Sequence, residues 1–324
     1  MSKVKKKGRI MFVLVCMIAF VVSFVGSAVF KIFYTPHELR KYKVNWSEEI
    51  GKTYADFSYG PGEANKFDLY LPADQSKETY GLIVYLHAGG FRTGDKRDDA
   101  GMLQWLCSLG YVTAGINYTL NSDENPEANV YTMSMEIKES IPYVIEEAGK
   151  LGYPIDRMAM AGGSAGGCLA LIYAYRDAAE APVPVKMVFE GVGPSSFYPE
   201  DWKSYGLDKD PEAAAVFFGM MSGKEITPDL FGTEAYDELM KDVSPLLCVD
   251  ENTVPTVMAY GVYDTFQPYG ASVRLDAVLT ENNVPHKYIV FEHSGHGLQN
   301  DNKQMVECSE AILEYLGRYM SESE

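Results

Sequence analysis

The chain has 324 residues, of which 47% are hydrophobic and 23% charged, and a net charge of −17 at pH 7. It is long and apolar enough to bury one large core, which excludes a disordered segment or a small module and does not demand two domains. Residues 1–30 hold five basic groups (Lys3, Lys5, Lys6, Lys7, Arg9) and no acidic one, so the other 294 residues carry −22, five more negative than the whole. A domain that acidic repels phosphate backbones, and no nucleic-acid partner is expected.

A basic tail, 1–9, leads into 21 uncharged residues, Ile10 to Phe30. Coiled as a helix at about 1.5 Å per residue, this stretch covers the roughly 30 Å of a bilayer's hydrocarbon. The basic cluster before it places the N-terminus in the cytoplasm, which predicts a single-pass anchor in the cytoplasmic membrane with the acidic bulk on the extracytoplasmic side. The alternative is a cleaved signal peptide and a secreted domain. Gly26-Ser27-Ala28 has cleavage spacing, but the apolar run exceeds the roughly 7–15 residues of a signal core. Cys16 lies in this span, and the remaining Cys107, Cys168, Cys248 and Cys308 are too sparse for a disulfide scaffold and read as buried or reduced thiols.

Residues 31–52 are polar, lack clean periodicity and read as a linker, with a domain over 53–324. Apolar or β-branched runs predict strands at 66–71, 81–87, 112–117, 158–161, 185–190, 255–260 and 287–291. Helical patterns lie between them at 100–109, 130–150, 165–178, 272–282 and 302–320. This alternation predicts an α/β fold, a mostly parallel sheet covered by helices on both faces. Ser195 to Asp250 breaks the rhythm with no strand run but many aromatic residues. A structureless loop of that length is suspect in a compact domain, so a helical insertion is expected there.

The strongest local signal is Gly162-Gly163-Ser164-Ala165-Gly166-Gly167, a G-x-S-x-G pattern at a strand-to-helix junction. A nucleophile elbow needs small flanking residues so that strand and helix approach closely and the serine hydroxyl stands above the sheet. Upstream, the run Leu82 to Leu86 ends in His87-Ala88-Gly89-Gly90-Phe91, and glycines directly after a strand let backbone N–H groups face an acyl-transfer oxyanion. The alternative is a plain turn.

A serine hydroxyl needs a base, usually a histidine held by a carboxylate. Of His37, His87, His286, His293 and His296, the last two follow the final strand in Glu292-His293-Ser294-Gly295-His296-Gly297. His296, between two glycines, is the candidate base and His293 the structural alternative. Asp264, just past the strand 255–260, is the candidate acid, with Asp250 and Glu292 as alternatives. Ser164, Asp264 and His296 then stand in the chain order Ser, acid, His. The histidines and cysteines lack metal-ligand spacing, and the glycine run lacks the dinucleotide spacing, so neither metal nor cofactor is expected.

With Phe67-Asp68-Leu69-Tyr70-Leu71-Pro72 and Ser244-Pro245 in register, these motifs resemble the α/β-hydrolase superfamily over roughly 53–320. Within it they are similar to the esterase branch of hormone-sensitive-lipase-like carboxylesterases and bacterial acetyl-xylan-type esterases. The resemblance implies Ser164 as nucleophile, Asp264 and His296 as its partners, the N–H groups of Gly89, Gly90 and Ala165 as oxyanion hole, and a cap at about 195–250. Ala88 departs from it, standing where the branch has the first glycine of a triple.

The function expected is hydrolysis of short-chain carboxylic esters through an acyl-enzyme, with acetylated glycans outside the membrane as substrates. Trp202 and Tyr205 offer rings for a sugar, unless they form the cap's own core. The net charge is expected to disfavour anionic esters through repulsion that salt relieves. The alternatives are a prolyl-oligopeptidase-like peptidase, whose usual propeller has no room here, and a non-catalytic binding relative, which typically lacks a triad member.

Overall fold

The computed structural model of the chain describes residues 11, 15–23, 26 and 37–321. They fall in two compact units, Met1–Tyr42 and Lys43–Glu324. In the first, 15–23 are helical and His37–Tyr42 form a 3-10 turn. The span expected at 10–30 and the cleavage spacing at 26–28 lie largely outside the described residues. Among those described, no helix is long and apolar enough to cross a membrane.

The second unit is built on one eight-stranded sheet. Its strands are β1 (Gly51–Ser58), β2 (Lys66–Pro72), β3 (Tyr80–Leu86), β4 (Val112–Ile116), β5 (Ile155–Gly163), β6 (Val185–Gly191), β7 (Thr256–Gly261) and β8 (His286–Phe291). They lie in the order β1-β2-β4-β3-β5-β6-β7-β8. β2 is antiparallel to both neighbours, and all other pairs are parallel. This is the α/β-hydrolase topology. The central strand β3 is apolar throughout, not alternating, because helices cover both faces of the sheet: its Leu82, Ile83 and Val84 are all buried.

The helices are α1 (Ala100–Ser108), α2 (Val130–Lys150), α3 (Ala165–Ile172), α4 (Pro211–Ser222), α5 (Glu234–Met240), α6 (Tyr269–Glu281) and α7 (Asn302–Tyr319). α2 begins on a reciprocal cap, where Asn129 Oδ1 accepts from the Thr132 N–H at 3.0 Å and Thr132 Oγ1 accepts from the Asn129 N–H at 2.9 Å. It buries Met133, Ile137, Ile141, Val144 and Ala148, a stripe of three- and four-residue steps. The helix expected over 165–178 changes character part-way: α3 ends at Ile172 and a π-helical turn, Tyr173–Asp177, follows. Within that turn Arg176 bonds Asp177, Ser134 and the Asp242 carbonyl, which ties it to α2 and to the chain beyond α5. The insertion between β6 and β7 carries α4, α5 and several 3-10 turns. Cys107, Cys168, Cys248 and Cys308 are free thiols, and burial pushes those of Cys107 and Cys308 up to about 12.

β1 was not among the expected strands, because its sequence Gly-Lys-Thr-Tyr-Ala-Asp-Phe-Ser is mostly exposed and has no apolar run. It is an edge strand, irregular between Tyr54 and Phe57, with Asp56 at φ 61° inside the irregularity. A buried cation fixes it. Lys96 is 2% exposed, and its Nζ lies 2.7 Å from Asp56 Oδ1 and 3.2 Å from Asp68 Oδ1. Burial works against the charged ammonium, but the two carboxylates outweigh it and hold its pKa above the usual lysine range. Lys96→Met strands the buried Asp68 carboxylate without its cation, and we expect a loss on the order of 3–5 kcal/mol. Urea unfolding monitored by circular dichroism checks this; an unchanged midpoint would mean the ion pair is dispensable.

Candidate active site

The sheet register brings the site together. Leu86 lies opposite Gly162, Gly163 opposite Gly191, and Gly261 opposite Phe291. The strands therefore end level, and the loops after β3, β5, β7 and β8 all open at one carboxyl edge. Ser164, between β5 and α3, sits at φ 52° and ψ −121°, a conformation that costs a non-glycine residue about 1–3 kcal/mol. It is held by its N–H, which donates to the Gly191 carbonyl at 2.8 Å, and by its carbonyl, which accepts from the Cys168 N–H at 3.1 Å. Gly166 must be glycine, since a Cβ there would lie 2.0 Å from the Leu86 carbonyl oxygen.

Ser164, Asp264 and His296 meet. His296 Nε2 lies 2.8 Å from Ser164 Oγ, and His296 Nδ1 lies 2.8 Å from Asp264 Oδ2. Facing a carboxylate, Nδ1 carries the proton and leaves Nε2 free to accept one from the serine. The Asp264 side chain is fully buried, and its Oδ1 accepts the N–H groups of Phe266 and Gln267 at 2.8 and 2.9 Å. The alternatives lie elsewhere. Asp250 accepts from the Asn252 N–H in an exposed turn, and Glu292 is exposed. His293 bonds Asp301 Oδ1 at 2.8 Å, while Asp301 Oδ2 accepts from Ser294 Oγ at 2.6 Å and from the His293 N–H at 3.0 Å. That carboxylate pins the loop that carries His296.

The loop after β3 turns through three residues of positive φ, Gly89 at 131°, Gly90 at 59° and Phe91 at 64°. The Gly89 carbonyl closes it by accepting the N–H groups of Arg92 and Thr93 at 3.1 and 3.0 Å. A Cβ on Gly89 would lie 1.9 Å from the Thr93 carbonyl oxygen. Ala88 has no positive φ, so alanine fits where the resemblance has glycine. His87 is buried, which draws its pKa below the usual value and keeps it neutral. Its Nδ1–H donates to the Ala88 carbonyl at 2.8 Å, and its ring stacks on Tyr118 at 4.4 Å between centroids. Tyr118 in turn donates its hydroxyl to the His87 carbonyl at 2.9 Å. Sequence reasoning passed over Tyr118 because nothing in its local pattern points 31 residues back.

Gly89, Gly90 and Ala165 border the same cavity of about 690 Å³ as Ser164 and His296. Most of the remaining wall is apolar, with Met133 from α2, Phe266 from the acid loop, and Trp202, Tyr205, Phe217 and Met221 from the insertion, while Arg92, Asn121, Asn129 and Gln267 add polar groups. Of the two rings expected to meet a sugar, Trp202 is buried, donates its Nε1–H to the Ser196 carbonyl and packs against Phe197, Phe217 and Phe218. It belongs first to the insertion's own core. Tyr205 is 46% exposed.

A family model described as BD-FAE matches residues 67–279, more than half of the chain. The chain belongs to the BD-FAE family. This BD-FAE protein is 23% identical over 252 residues to a probable isoprenylcysteine alpha-carbonyl methylesterase of Oryza sativa subsp. japonica, covering 74% of the chain and only 56% of that relative's length. Its fold is similar to a truncated carbohydrate esterase from gut microbiota, with TM-score 0.66, 18% identity, and 83% of this chain and 98% of that one covered. It is also similar to esterase B from Lactobacillus rhamnosis, solved with a C4-C4 SN3 tributyrin phosphonate, with TM-score 0.63, 20% identity and 93% and 94% coverage.

Behind the elbow of this BD-FAE domain lies a buried carboxyl that the sequence did not single out, Glu190 at the end of β6. Its Oε2 accepts the Gly193 N–H at 2.8 Å. Burial raises its pKa to about 8 against the opposing pull of that N–H, so the folded protein holds it neutral at pH 7. In the unfolded chain it ionises near the ordinary 4.5. Between those two values the unfolded state binds fewer protons, so this group's contribution makes stability fall as pH rises from about 4.5 to 8. Glu190→Gln removes the titration, and we expect its melting temperature to decline less than that of the wild type between pH 5 and 8. Parallel melting profiles for the two proteins would show that Glu190 does not titrate in this way.

Proposed function

We propose that this protein is a serine hydrolase that cleaves short-chain carboxylic esters through an acyl-enzyme on Ser164. The observation that carries the reading is the unbroken relay from Ser164 Oγ through His296 to Asp264, with 2.8 Å at each step. Ser164 Oγ attacks the ester carbon while His296 Nε2 takes its proton, and Asp264 steadies the imidazolium that forms. The N–H groups of Gly89, Gly90 and Ala165 serve the oxyanion. Collapse of the tetrahedral intermediate expels the alcohol, protonated by His296, and the same imidazole then activates the water that frees the acid.

The insertion acts as a cap: Trp202, Phe217 and Met221 wall in the space over Ser164, so each added methylene of a long acyl chain competes for room. The C4 phosphonate held by the Lactobacillus esterase and the carbohydrate esterase among the similar folds support short acyl groups and acetylated glycans as substrates. Export supports the same choice. We place the domain outside the cytoplasmic membrane, held by 10–30 or released from it, on the strength of the basic cluster Lys3 to Arg9 and the uncharged run behind it.

In a panel of aryl esters of rising acyl length, an acetylated xyloside and a peptide, we expect the highest kcat/KM on acetyl to butyryl esters. Ser164→Ala should lower kcat at least about a thousandfold, His296→Ala nearly as much, and His293→Ala mildly. Preference for acyl chains of about twelve carbons or more, or for the peptide bond, would defeat the proposal. Topology has its own test. Membrane fractions should hold the full-length chain, and protease added to cells with the outer membrane face exposed should remove the domain. Recovery in a protease-protected cytosolic fraction would refute export.

A further inference from the structure

Among the described residues, the cavity wall carries one guanidinium, that of Arg92, beside the imidazole of His296 and the phenol of Tyr205, and no carboxylate borders it. In a chain of net charge −17, four of the seven arginines among the described residues find an acid: Arg97 pairs with Asp95, Arg157 with Asp156, Arg176 with Asp177 and Arg274 with Asp201. Arg92 has no ion pair or side-chain hydrogen bond among the described residues, and it is exposed at the cavity.

Its position is imposed at a cost. The Arg92 N–H closes the turn on the Gly89 carbonyl, with Gly90 and Phe91 between them at φ 59° and 64°. A positive φ on a bulky residue such as phenylalanine is a genuine outlier, and such strain gathers where a loop has to present a group to a ligand. The turn is also bolted from behind, since the Phe91 carbonyl accepts the Asn121 N–H at 2.9 Å and the Asn121 amide holds the Ala128 carbonyl at 2.8 Å. The guanidinium thus leaves a rigid turn whose other end is Gly89 and Gly90 of the oxyanion loop.

We propose that Arg92 is a specificity-determining residue that binds a carboxylate on the ester substrate, so that the preferred substrates are short esters of carboxylate-bearing molecules. The proposal rests on the esterase reading and narrows it. It also reverses the expectation from net charge. The domain's diffuse negative field slows the approach of an anion, but at the cavity the local cation decides, because a guanidinium offers a carboxylate two parallel N–H donors at contact distance.

Two matched pairs of esters test it. Monomethyl adipate against methyl hexanoate places the carboxylate on the acyl side, and 4-acetoxybenzoate against its methyl ester places it on the alcohol side. For at least one pair, Arg92→Gln should lower the anionic-to-neutral ratio of kcat/KM roughly tenfold to a hundredfold, the worth of a charge-assisted hydrogen bond, and Arg92→Lys should restore part of it. Ratios within about twofold of wild type for both pairs would overturn the proposal, as would an equal loss on both members, which would make Arg92 a prop for the turn. Calorimetric titration of the same four compounds into Ser164→Ala, and into Ser164→Ala combined with Arg92→Gln, reads affinity without turnover. If the wild type hydrolyses no ester, the esterase reading falls, while the calorimetric difference between the two variants still decides the role of Arg92.

Discussion

Everything at the site depends on how closely the start of α3 approaches the end of β3. At Gly166 the distance leaves no room for a single carbon, because the Leu86 carbonyl stands where a Cβ would go. That contact sets the first turn of α3, and with it the strained Ser164, directly beside the loop that starts at His87. Moving the helix outward by the width of a methyl group would separate the hydroxyl from the N–H groups of Gly89 and Gly90. The strand register then supplies the rest: Gly261 level with Phe291 puts the Asp264 loop and the His296 loop side by side. Sheet geometry thus replaces any need for the three residues to be near one another in sequence.

The elements around this contact are polar devices that hold loops and do no chemistry themselves. Asp301 gathers His293 and Ser294, His87 and Tyr118 brace the loop after β3, and Lys96 fastens the edge strand to the far end of that same loop. Apart from His87 Nε2, which is buried without a hydrogen-bond partner among the described residues, these groups find their partners within the fold, so the loops keep their shapes without a ligand. Such preorganisation lets an active site meet developing charge without first reorganising.

Much of this was legible in the sequence, and the reasons differ by residue. The parallel strands announce themselves as unbroken apolar runs because both faces are covered, and Ser164 is flanked by glycines that the elbow's crowding demands. His296 was separable from His293 only by its glycine neighbours, and Asp264 by its place after a strand. β1 was not legible, since an edge strand with exposed side chains needs no hydrophobic pattern. Glu190 and Tyr118 were hidden for another reason: their partners are set by sheet register and long-range packing, which local spacing does not encode. Trp202 shows the converse, an aromatic residue whose composition suggested a ligand and whose surroundings give it to the insertion's core. Arg92 looked unremarkable in a loop, and its isolation emerges only when Arg97, Arg157, Arg176 and Arg274 are seen with their acids.

The buried thiols have a consequence for how the molecule meets reactive compounds. Cys168 lies in the first turn of α3, wholly buried, and that burial holds its thiol well above the ordinary range. The thiolate is the reactive form, so alkylating agents and oxidants find almost none of it in the folded protein. Modification has to wait for α3 to lift from the sheet, the same displacement that would dismantle the elbow. The rate at which Cys168 takes up a label is therefore a clock for opening of the site, readable by mass spectrometry without any substrate.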